Sequence, residues 1–137
     1  ANEFTGVASS AKYADLAEKY TTSEELEVGT IVAVANDLEG AGGYEVEPAT
    51  GDNIPVGVIS EAPAYLMNAD SEGQAVALKG RVPVKVTGLV NKGEAVYVDV
   101  SGVGSTVKNE NGLVGIALES FEPEGDESGL VECILKV

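Results

Sequence analysis

Three kinds of reactive side chain stand out in the sequence, and each points to a different chemistry. Acids dominate, with 23 Asp+Glu against 8 Lys+Arg and a formal net charge of −15. Glu122, Glu124, Asp126 and Glu127 crowd one stretch, and Asp37 and Glu39 another. Such a density of carboxylates suits Ca²⁺, yet the alternating Asp/Asn order of a calcium loop is absent. A fixed carboxylate pair also hydrolyses glycosides, but that chemistry needs an aromatic-lined cleft. Aromatic residues are 5% of the chain and Trp is missing. The single thiol is Cys133. Alternation puts it on one strand face with Val131, Leu135 and Val137, where a free cysteine packs as a small hydrophobe. A catalytic thiol or serine needs a base beside it, and the chain has no His. Gly40-Ala41-Gly42-Gly43 and Gly102-Val103-Gly104 lack the third Gly and the Lys-Ser/Thr of a phosphate cradle, and read as turns. The expectation is a non-enzymatic protein with no catalytic residue, no cofactor and no metal.

The third kind is basic. Lys79, Arg81, Lys85 and Lys92 fall within one short stretch of an acidic chain. By alternation the first three share a sheet face, provided the register survives Gly80. Two readings follow. The cations are an intramolecular counterweight, or they form a docking surface for an acidic partner or a neighbouring subunit. The overall charge opposes nucleic acid, because phosphate repels it, and it opposes a polybasic membrane anchor. No apolar run approaches the ~18 residues of a transmembrane helix.

The elements that hold these residues read as β structure. At 137 residues the length suits one domain. Val recurs, Gly is 17, and branched side chains pack well on a pleated surface. Thr30 to Ala35 has apolar residues on both faces, as in a strand covered twice. Tyr44 to Glu47 alternates and pairs with it as a hairpin. Ile54 to Ser60 is a short strand, and Pro55 sets its beginning at an edge. Gln74 to Lys79 and Arg81 to Thr87 are the clearest strands, and in the second Val82, Val84 and Val86 share a face. Ala95 to Val100, Thr106 to Lys108, Leu113 to Leu118 and Leu130 to Val137 complete the set. Short strands separated by turn signals predict a small single-domain β-barrel or β-sandwich over residues 26–137.

Residues 1–25 read as an N-terminal arm. Ala1 to Gly6 lacks the basic and apolar blocks of a signal peptide. Tyr13, Leu16, Ala17 and Tyr20 recur at i, i+3, i+4 and i+7, which predicts a short helix over 11–20, with an extended arm as the competing reading. A helix this short needs a surface to dock on. Glu61 to Gly73 is the most irregular stretch, and presents Tyr65, Leu66 and Met67 as a candidate exposed binding loop.

Several segments resemble the virion structural proteins of tailed phages, cyanophages especially, and the C-terminal domains of phage fibre proteins. They are Ala11-Lys12-Tyr13-Ala14-Asp15-Leu16-Ala17-Glu18, Val56 to Ser60, Pro63-Ala64-Tyr65-Leu66-Met67-Asn68, Val76 to Val86 and Asn91-Lys92-Gly93-Glu94. Val114 to Glu119 and Gly129 to Glu132 extend the likeness across most of 11–137. Gly93-Glu94-Ala95-Val96-Tyr97-Val98-Asp99 and the strands after it are also similar to phage capsid cement proteins. A related branch, the self-cleaving chaperone ends of some phage appendages, carries chemistry, but the sequence shows no nucleophile–base pair for it.

The resemblance implies a capsid decoration (cement) protein, made in the host cytoplasm and seated on the virion exterior. Its partners would be the major capsid protein and further copies of itself, as a homo-oligomer, expected to be a trimer. Phe4, Tyr13, Leu16 and Tyr20, with Lys79, Arg81, Lys85 and Lys92, are the candidate capsid or subunit contacts. The alternative is a head-fibre or tail-fibre tip module that binds a host surface receptor through Tyr65, Leu66 and Met67.

Overall fold

The structure is a computed structural model and describes residues 14–35 and 45–137. Ten strands make up one sheet: β1 Ala14–Thr22, β2 Ile31–Val34, β3 Glu45–Pro48, β4 Pro55–Ile59, β5 Tyr65–Met67, β6 Gln74–Thr87, β7 Ala95–Val100, β8 Val103–Ser105, β9 Leu113–Ala117 and β10 Ser128–Leu135. No helix occurs among the described residues. The mainly β expectation holds at this level.

β6 organises the sheet. Its first half pairs with β1 and β4, and its second half with β10 and β8. The ladders therefore return to β6 twice. One circuit runs β6–β4–β2–β3–β1 and the other β6–β8–β7–β9–β10. Val82, Val84 and Val86 are buried while Arg81, Pro83, Lys85 and Thr87 are half-buried, the alternation that the sequence shows. Each buried Val contributes roughly 1.5–3 kcal/mol through apolar area removed from water.

Two clusters form the interior. The larger gathers Val82, Val84, Val86, Val96, Val98, Val131 and Cys133, together with Ile31 and Ala33. The smaller holds Val32, Val46, Ile59 and Val76, with Tyr20 and Leu26 packed against it. Ile31 and Ala33 thus serve one cluster and Val32 the other. From Ile31 to Ala33 both faces of β2 are covered, which explains the apolar run there, while Val34 at its end is exposed.

Three expectations are corrected. Residues 14–20 of the expected helix are strand, and 11–13 lie outside the described residues. The helical spacing is overruled by pairing, since Ala14 to Tyr20 run antiparallel to β6 from Arg81 to Gln74. A lone helix of that length gains too little to compete. Gly80 does not separate two strands, because β6 runs through it. Its φ of +102° suits glycine, and a Cβ there would overlap the Ala14 carbonyl oxygen. The register slip falls at Leu78 instead, between the pairs Leu16↔Lys79 and Ala17↔Ala77. The short strand expected at 106–108 lies earlier, at Val103–Ser105.

Candidate functional site

Six of the eight candidate contact residues lie among the described residues. Phe4 and Tyr13 lie outside the described residues. Leu16 is half-buried in β1, opposite Lys79 on one side and Tyr65 on the other. Tyr20 packs on the smaller core, and its hydroxyl donates to Glu18 Oε1 at 3.0 Å.

Two of the four basic residues are matched within the chain. Arg81 Nη1 lies 3.4 Å from Glu132 Oε2, across the β6–β10 ladder. Lys85 Nζ donates to Glu27 Oε1, and that bond with the ammonium charge holds the Glu27 carboxyl below its ordinary value. Lys79 and Lys92 are exposed. The pairs at Arg81 and Lys85 are those of a counterweight.

The irregular stretch holds a strand. Tyr65–Met67 is β5 and runs parallel to β1, with Leu16↔Tyr65, Ala17↔Leu66 and Glu18↔Met67 in register. Asn68 follows with φ of +57°, and its Nδ2 donates to Glu18 Oε2 at 2.6 Å. Tyr65 is 64% exposed, while Leu66 and Met67 are half-buried against the sheet.

A buried polar pair carries no signature in the sequence. Ser60 Oγ donates to Asp15 Oδ2 at 2.7 Å, with both residues buried. The partners are 45 residues apart, on β1 and at the end of β4. The bond ties β1 to the end of β4. Cys133 is buried too. Burial, reinforced by the Glu132 and Glu119 carboxylates, pushes its thiol up to about 12. A thiol so seldom ionised is a poor nucleophile. Among the described residues no group of three Cys, Asp or Glu gathers for a metal ion. Asp37 and Glu39 lie outside them.

One groove, of about 450 Å³, opens where β6 and β8 part. These strands run parallel but pair only at Val86↔Gly104. Beyond that point Thr87, Gly88 and Leu89 form one wall and Ser105, Thr106 and Val107 the other. Asn91, Glu94 and Asp99 complete the lining. Asp99 falls where the β7–β8 ladder slips, between Val98↔Gly104 and Val100↔Val103, and such a bulge re-aims a side chain. The rim is fixed by local bonds. Val90 and Phe121 exchange backbone bonds of 2.9 and 2.8 Å. Asn91 N–H donates to Glu94 Oε1 at 2.7 Å, and Val107 N–H to Ser105 Oγ at 3.1 Å.

No protein-family model matches this chain, and no curated protein matches it. Solved structures do share its architecture. The C-terminal fragment of bacteriophage phi29 gene product 12 is similar with a TM-score of 0.64 at 17% identity, over 89% of this chain and 100% of the fragment. The pre-mature bacteriophage phi29 gene product 12 is similar with a TM-score of 0.66 at 16% identity, over 90% of this chain and 22% of that one. At these identities the likeness is one of fold alone.

Proposed function

We propose that this chain is a non-enzymatic structural protein of a tailed-phage virion, acting as a homo-oligomer. The observation that carries the reading is the fold shared with the whole C-terminal fragment of a phage protein. The sequence segments that resemble phage virion proteins support it from an independent direction. The buried Cys133 thiol, the absence of His and the closed Asp15–Ser60 pair all favour a structural role over a catalytic one. Mechanically, such a protein adds buried interface between larger subunits and raises the work needed to separate them.

Two seats on the virion fit this role. The first is the outer shell, as a decoration protein bound to the major capsid protein. The acidic surface would then face outward and keep particles apart. The second is the end of a fibre, where exposed Tyr65 would meet a host receptor. One observation favours the second seat: the matching fold is a C-terminal fragment, and it spans 22% of a longer phage protein. Labelled protein decides between them. Binding to expanded, undecorated shells and not to host cells supports the shell, and binding to host cells alone supports the fibre. Binding to neither contradicts both.

A further inference from the structure

We propose that the groove between the ends of β6 and β8 is a docking site for an arginine side chain carried on a segment of a partner protein. Its volume of about 450 Å³ admits one long side chain with neighbouring backbone. Its lining contains two carboxylates, Glu94 and Asp99, and no cation. Glu94 spends one oxygen on the Asn91 N–H, and among the described residues none hydrogen-bonds to or pairs with the Asp99 carboxylate.

The walls narrow the occupant further. Leu89 and Val107 are 54% and 66% exposed, unusual for aliphatic residues on opposite sides of one groove. They suit the apolar stem of a long cationic side chain. Thr87, Thr106 and Asn91 add acceptors beside the carboxylates. Five candidate acceptor side chains suit a guanidinium, which offers five donors in a fixed fork, better than an ammonium with three. The surrounding charge of −15 draws a basic segment towards the chain, and the locked rim spares the cost of ordering it on binding. This inference concerns the partner's chemistry and stands apart from any position in a virion.

The test is a titration of the full isotope-labelled chain, followed by amide NMR, with the peptide acetyl-Gly-Arg-Gly-amide. Matched peptides replace arginine by lysine or by neutral citrulline. The expected result is a saturating shift confined to the amides of Gly88, Leu89, Asn91, Thr106 and Val107. Asp99→Asn weakens binding about tenfold, as loss of a charge-assisted bond should. Glu122→Gln with Glu124→Gln, which removes equal or greater charge elsewhere, leaves it nearly unchanged. The variants' own spectra report whether they fold. Shifts spread over the acidic surface, equal binding of the lysine peptide, or no saturation would each overturn the proposal.

Discussion

Ser60 donates its hydroxyl hydrogen to the Asp15 carboxylate at 2.7 Å, with Asp15 2% and Ser60 8% exposed. The bond joins the first described strand to the end of β4. Around it Asp15 also accepts the Ala64 N–H at its carbonyl, and Gly80 lies opposite it on β6. These contacts hold β1 in the place between β6, β3 and β5 on which its circuit depends.

Truncating the two partners of this bond should not be additive. Asp15→Ala strands a buried hydroxyl and should cost about 1–3 kcal/mol. Asp15→Ala with Ser60→Ala should cost less than the sum of the two single changes. Urea unfolding of the four proteins measures the coupling, and strict additivity would show that the bond contributes nothing.

Gly80→Ala should loosen β1 selectively. The new methyl meets the Ala14 carbonyl oxygen, and φ at that position is +102°. Relief requires β1 to move away, with a loss above the ~1 kcal/mol of an ordinary left-handed substitution. Hydrogen exchange should accelerate in residues 14–20 before it does in β7 or β9. Uniform acceleration would mean that β1 is no separate unit.

Cys133 should be silent to thiol reagents while the chain is folded. Burial pushes its thiol up to about 12, so at pH 8 almost no thiolate is present. Labelling should follow the unfolding rate and become complete in denaturant. Fast labelling of the native protein would contradict the burial of the β10 inner face.

The Lys85–Glu27 pair makes a small, signed contribution to pH dependence. Glu27 is held below its ordinary value of 4.5, so the native state binds that proton less readily than the unfolded chain. The stabilisation is present above pH 4.5 and fades as pH falls through the lower native value. Glu27 is exposed, so salt screens the pair. Lys85→Met should flatten the acid limb at low salt and change little at high salt. An unchanged limb at low salt would show that the pair is not formed.

Much of the sheet was legible because strand alternation is local. Val82, Val84 and Val86 declared a buried face, and Ile31, Val32 and Ala33 a strand covered twice. For β1 the helical spacing of Tyr13, Leu16, Ala17 and Tyr20 competes with the extended reading, and only the pairing with β6 decides for a strand. β5 was hidden because its partner lies about fifty residues upstream and runs parallel to it. The partners of Arg81 and Lys85, Glu132 and Glu27, are distant in sequence and become visible only in the fold. The groove was not legible at all, since it arises where two strands diverge and a bulge re-aims Asp99.

The most direct test of the central claim is the protein composition of virus particles purified from cells that express this chain's gene during infection, by quantitative mass spectrometry with antibody labelling under the electron microscope. A virion structural protein should co-purify at a fixed copy number relative to the major capsid protein, with label on the shell or at the end of an appendage. Abundance in the infected cell with no copies in the particle would contradict the account.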